Sequence, residues 1–155
     1  MKYDDASWHY GGDFPKDLPP AAGATHTGMY VAWCMLNGLA GKLHTEEFPE
    51  MLAMLKSRNL SPGTFLIKAC DEKFTDEDLT EEGNVFTGIY FDFQKGKYIA
   101  DYERALQPTG LTLYHVPDTW ESYDKLAPII TRRYQNWKKY GSLDEPPKPW
   151  WRFWS

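Results

Sequence analysis

Residues 25 to 39 restrict the possible folds more than any other stretch. Thr25 or Thr27 is placed to cap a helix running to about Leu39, with Gly41 as its stop. Met29, Ala32, Trp33, Leu36, Leu39 and Ala40 fall on one face, and Val31, Cys34 and Met35 make the other faces apolar too. A helix that is apolar all round has no face to offer solvent, so it must lie at the centre of whatever packs around it.

The flanking segments supply that packing. Thr45 caps a second helix, with Pro49 in its first turn and a stripe of Phe48, Met51, Leu52 and Leu55. Ser61-Pro62 reads as the N-cap and first residue of a short helix carrying Phe65, Leu66, Ala69 and Cys70. Thr75 with Asp78, and Thr80 just after, are successive cap signals. Val85, Phe86, Ile89, Tyr90 and Phe93 follow at helical spacing, Gly96 interrupts, and Tyr98, Ile99, Tyr102 and Leu106 continue. The last pattern is the clearest: Asp118 or Thr119 caps a helix over residues 119–140 with Trp120, Tyr123, Leu126, Ile130, Tyr134 and Trp137 as its buried face. Pro128 is expected to kink it, and Gly141 ends it. Leu111 to Val116 alternates and is the one convincing strand candidate, with Ser7 to Tyr10 as its partner. The expected fold is mostly α: a single-domain helical bundle of about five or six helices with at most a small β element. Residues 1–24 form an extended arm and residues 142–155 a tail rich in Pro and Trp. In that tail, Trp150, Trp151, Phe153 and Trp154 either fold back into a groove or anchor a partner.

At 155 residues the chain suits one domain. Its net charge of −5 argues against a nucleic-acid partner. The N-terminal residues have no apolar run of a signal peptide, and Met29 to Leu36 is too short to cross a bilayer. Cys34 and Cys70 make no disulfide framework. A cytoplasmic protein with no membrane association is the expectation.

The densest polar feature is acidic. Asp71, Glu72, Asp76, Glu77, Asp78, Glu81 and Glu82 are opposed within their stretch by Lys73 alone. Lys73 and Asp76 stand where an EF-hand frame needs a ligand and a glycine, so calcium is not expected there. The four histidines, His9, His26, His44 and His115, lack H-x-x-x-H or C-x-x-C spacing. No metal or other cofactor is therefore anticipated, although Asp4, Asp5 and His9 could meet if the arm folds back. The plainer reading of those three is that they pin the arm by hydrogen bonds. Cys70 precedes two acids that raise a thiol pKa, and no nucleophile or phosphate-loop motif is present, so no catalytic residue is assigned. The carboxylates are either a solvated loop or a docking surface. In the second case Asp71, Glu72, Phe74, Asp76, Glu77, Asp78, Glu81 and Glu82 would bind the partner, joined by Trp8 and Tyr10 from the arm.

Three strings, KYDDASWHYGGDFP, GMYVAWCMLNGLAG and ACDEKFTDEDL, resemble a family of small bacterial proteins of unknown function. The resemblance runs from about Lys2 to about Trp137 and leaves out the Pro/Trp tail. It implies by context an immunity protein that neutralises a cognate protein toxin, for instance a nuclease with a basic cleft. Acidic side chains suit the occlusion of such a cleft. Two other classes stay open. A small enzyme would use Asp4, Asp5 and His9 on the arm. An adaptor would use the aromatic tail.

Overall fold

The computed structural model describes the backbone of residues 1–154 and the side chains of residues 1–152. Its central element is helix α1, Thr25–Leu36, in which every residue from Thr25 to Met35 is buried. The helix stops earlier than Leu39. Gly38 takes a left-handed conformation (φ +79°) just past its end, and the Asn37 side chain donates to the Trp33 carbonyl at 2.7 Å. Gly41 has a different job: it packs against the backbone of Glu77 and Leu79, where a Cβ would clash.

Around α1 lie α2 (Pro49–Lys56), α3 (Pro62–Ala69), α4 (Glu81–Tyr90), α5 (Tyr98–Leu106) and α6 (Trp120–Tyr140). The fold is thus a mostly α single domain with a small sheet. Side-chain caps set several boundaries as the sequence implies. Ser61, Thr80 and Thr119 accept the N–H of Thr64, Gly83 and Ser122. Asp118 does not cap α6. It reaches across to α3, accepting from Gly63 N (2.7 Å) and Ser61 Oγ (2.6 Å). Thr45 does not cap α2 either: residues Leu43–Glu47 form a single wide helical turn, and Thr45 Oγ1 donates to the Gly41 carbonyl. Helix α6 continues through Pro128 to Gly141, which is left-handed.

The β element is a two-stranded antiparallel sheet, β1 (Lys2–Asp5) with β2 (Lys73–Thr75), in register Lys2↔Thr75, Asp4↔Phe74 and Asp5↔Lys73. The expected pairing of Leu111–Val116 with Ser7–Tyr10 does not form. Both segments become 3₁₀ turns, Ala6–His9 and Leu113–His115. Local side-chain bonds start each turn: Asp5 accepts from Ser7 N, and Thr112 Oγ1 accepts from Tyr114 N. Such bonds offer the backbone an alternative to a ladder. The two turns still meet, through side chains, at His9 and Tyr114.

The aromatic excess is largely core. Tyr30 packs on Phe74, Phe91 and Tyr98, with ring centroids 4.9–5.9 Å apart. In α6, Tyr123, Leu126 and Ile130 are buried, while Trp120, Tyr134 and Trp137 are half-buried. Trp137 nevertheless sits 5.5 Å from Phe86. Trp137→Ala is expected to lower the free energy of unfolding by about 2 kcal/mol, short of the roughly 3–5 kcal/mol of a fully buried aromatic. Urea titration measures it, and an unchanged midpoint would show that the ring contributes no packing.

Candidate functional site

The acidic stretch does not present itself as one surface. Asp78 is buried: its Oδ2 accepts from Thr75 N at 2.8 Å and its Oδ1 lies 2.8 Å from His44 Nε2. It is a folding residue and does not reach a partner. Phe74 is fully buried on β2, between Tyr3, Tyr30 and Phe91, and leaves the docking set as well. The alternation of strand β2 turns Phe74 inward, which the sequence does not reveal without its pairing strand.

The remaining acids split in two. Glu72 accepts from the Tyr10 hydroxyl (3.1 Å), and its carbonyl accepts from Ala6 N (2.9 Å), so it fastens the arm. Burial and that carboxylate push the Tyr10 phenol up to about 12. Glu82 takes bonds from Tyr134 and Lys138 on α6, which hold its carboxyl below the usual range. Asp71 pairs with Lys73 at 3.3 Å. Asp76, Glu77 and Glu81 form a short series running into α4. Asp76 pairs with the Met1 ammonium at 2.9 Å, which lowers its pKa. Its carbonyl accepts from Asn84 Nδ2, tying the acidic turn to α4. Glu77 and Glu81 are exposed. Trp8 is 59% exposed under Lys2, 5.3 Å from the ring, and belongs to the arm.

Next to this series α4 carries an apolar face that is left open among the described residues. Val85, Phe86, Ile89, Tyr90 and Phe93 recur at helical spacing in the sequence, but of these only Phe86 and Tyr90 turn inward. Val85 is 50%, Ile89 41% and Phe93 45% exposed. A helix of 3.6 residues per turn sets Glu81, Val85, Gly88 and Ile89 on one side. A groove of about 410 Å³ adjoins them, lined by Met1, Tyr3, Gly88, Phe91, Asp92 and Phe93 among others.

Two polar clusters lie inside the domain. In the first, His9 Nε2 is 2.9 Å from Asp4 Oδ1 and His9 Nδ1 is 2.9 Å from the Tyr114 hydroxyl. A neutral His9 donates to the carboxylate and accepts from Tyr114. Thr27 Oγ1 donates to Asp4 Oδ2. His26, from the first turn of α1, brings Nε2 to 3.6 Å from Asp4 Oδ2. Burial drives the His26 pKa down to about 4, so the ring is neutral. Asp5, grouped with Asp4 and His9 in the sequence, stays apart: alternation along β1 turns it to Lys2 (2.8 Å) and Ser7, which hold its pKa near 2. The second cluster is His44, Cys70 and Asp78, with Cys70 Sγ 3.9 Å from His44 Nε2. Burial and Asp78 push the Cys70 thiol well above its ordinary value, which favours the protonated thiol. His26 and His44 were missed as members of these clusters. The available signal was His26-Thr27 itself: polar side chains in an otherwise apolar helix need a buried polar partner.

On the tail, Trp150 and Trp151 are exposed. The side chains of Phe153 and Trp154 lie outside the described residues. Among the described residues no helix is long and apolar enough to cross a membrane.

No curated protein and no solved structure matches the chain significantly. A family model does match, over residues 2–116, a span that contains α1 to α5, both polar clusters and the acid-flanked face of α4. The chain belongs to the family described as a domain of unknown function, DUF7832.

Proposed function

We propose that this protein is a cytoplasmic binding protein, an immunity protein that neutralises a cognate bacterial toxin by direct contact. The observation that carries the reading is the exposure of Val85 and Ile89 on α4 and of Phe93 in the turn that follows it, with Asp76, Glu77, Glu81 and Asp92 as the neighbouring acids along the chain. Apolar residues at the centre of a contact supply affinity. Acids at its edge supply association rate and discrimination. A partner of matching chemistry has an apolar ridge set in a basic cleft, as a nuclease toxin does. The binding set is therefore shifted along the chain relative to the acidic stretch, running from Asp76 to Phe93.

The test is co-expression with a candidate toxin taken from the neighbouring reading frames, scored by survival. Ile89→Asp is expected to weaken binding about 30-fold, the effect of a central anchor. Glu77→Lys with Glu81→Lys should slow association and flatten its salt dependence. Both variants should melt with the parent, since these side chains are exposed. Full protection by both folded variants would remove this face. Truncation after Glu145 then tests the exposed Trp150 and Trp151 as an adaptor surface. It retains Leu143, which is buried, and Asp144, which pairs with Arg133 and Lys97.

A further inference from the structure

The geometry points to a site for a divalent transition metal ion, best matched by Zn(II), at Asp4, His9 and His26. The three donors come from three different segments: Asp4 from strand β1, His9 from the turn that follows it, and His26 from the first turn of α1. The carboxylate of Asp4 and one ring nitrogen from each histidine lie within 4.8 Å of one another. Tetrahedral coordination at about 2.0–2.1 Å separates neighbouring ligand atoms by about 3.3 Å. Measured to the same oxygen, Asp4 Oδ2, the separations of 3.1 Å (His9 Nε2) and 3.6 Å (His26 Nε2) bracket that value.

A second observation favours an ion over a hydrogen-bonded pin alone. His26 is buried, yet its Nδ1 has no hydrogen-bond partner among the described residues, and its Nε2 stops 3.6 Å from the carboxylate. The pin needs only Asp4, His9 and Tyr114; ring packing on His9 and Tyr114 accounts for the burial of His26 but gives its Nδ1 no polar partner. An ion bound on the shared carboxylate, taken by either ring nitrogen of His26, gives that buried ring the polar contact it lacks. The outer contacts suit it too. Thr27 holds Asp4 Oδ2, and the Tyr114 hydroxyl sits on His9 Nδ1, the arrangement that orients a ligating imidazole. Two imidazoles and one carboxylate select a first-row transition metal. Calcium and magnesium call for more oxygen donors than this cluster has. The ion would clamp the N-terminal arm to the central helix, beside Phe93, whose ring lies 6.3 Å from that of His9 and 6.5 Å from that of His26.

The His44, Cys70 and Asp78 cluster is the built-in rival, so the experiment contains both. Chelator-stripped full-length protein is titrated with Zn(II) by calorimetry, and Co(II) absorption reports coordination. One Zn(II) per chain is expected for the parent and for Cys70→Ser, with an intense visible Co(II) band. His26→Gln and His9→Gln should each bind at least 100-fold more weakly, and Zn(II) should no longer raise their Tm. Tyr114→Phe keeps all three ligands and should lose roughly 10-fold in affinity. It serves as the folded probe if a ligand variant does not fold. Absence of binding by the parent overturns the site, as does binding lost in Cys70→Ser and kept in His9→Gln. Unchanged affinity in a folded Tyr114→Phe variant also counts against it.

Discussion

Gly28→Ala should destabilise the domain by about 3 kcal/mol or more, although alanine is the better helix former by about 1 kcal/mol. A Cβ at residue 28 would sit 2.6 Å from the Pro62 carbonyl oxygen and 2.7 Å from Gly63 Cα. Those atoms are backbone at the start of α3, so no side chain can swing aside, and α1 and α3 must separate. Gly63 is itself held on its other side by Asp118, which bonds its N–H. Gly88→Ala is the matched control. It is also a helical glycine, but a Cβ there meets nothing within 4 Å, and the substitution should stabilise by about 0.5–1 kcal/mol. Urea midpoints of the two variants should move in opposite directions. Movement of both toward higher urea would mean that α1 and α3 do not touch as described.

Asp101→Ala should cost about 3–5 kcal/mol, because it leaves a partly buried guanidinium without its main counter-charge. Asp101 is buried and takes three strong bonds: Arg133 Nε at 2.9 Å, Arg133 Nη2 at 3.0 Å and the Tyr90 hydroxyl at 2.7 Å. The fork joins α5 to α6, and Tyr90 brings in the end of α4. Its carboxylate raises the Arg133 pKa, and burial with the same carboxylate raises that of Tyr90. Asp144 remains on Arg133 Nη1 at 2.7 Å, but Asp144 is exposed and well solvated. Asp101→Asn keeps the shape and removes the charge, so it should fall between parent and Ala. Chemical denaturation of the pair decides this. Equal stability of all three proteins would show that the ion pair contributes nothing net.

Much of the local structure follows from short-range chemistry and was legible without coordinates. A Ser or Thr hydroxyl that can reach an N–H three residues on starts a helix wherever a suitable apolar run follows, hence Ser61, Thr80 and Thr119. Gly141 ends α6 because it tolerates the left-handed conformation. The central place of α1 follows from its having no polar face. The same local logic misled at Leu111–Val116, where alternation predicts a strand and the Thr112 cap produces a turn.

The functional surfaces were legible only in part. Seven clustered carboxylates look alike in a sequence, but burial gives them different work: Asp78 caps a turn inside the core, Glu72 fastens the arm, and Glu77 and Glu81 face solvent. Val85 and Ile89 share a helix with Phe86 and Tyr90, and hydrophobicity cannot say which of them a neighbour will cover. That depends on where α5 and α6 lie: Tyr134 and Trp137 pack on Phe86, and Tyr98 packs on Tyr90. The meeting of Asp4, His9 and His26 depends on the antiparallel pairing of β1 with β2, a contact across some seventy residues of chain. The sequence by itself therefore determined the helical class, the central helix and the caps at Ser61, Thr80, Thr119 and Gly141, though not those of the central helix, which starts after Ala24 without a side-chain cap, because these features are fixed by neighbours along the chain. Only the tertiary structure decided which charges are buried, which apolar face is left exposed and which polar side chains converge, because each of these is set by the element that packs opposite.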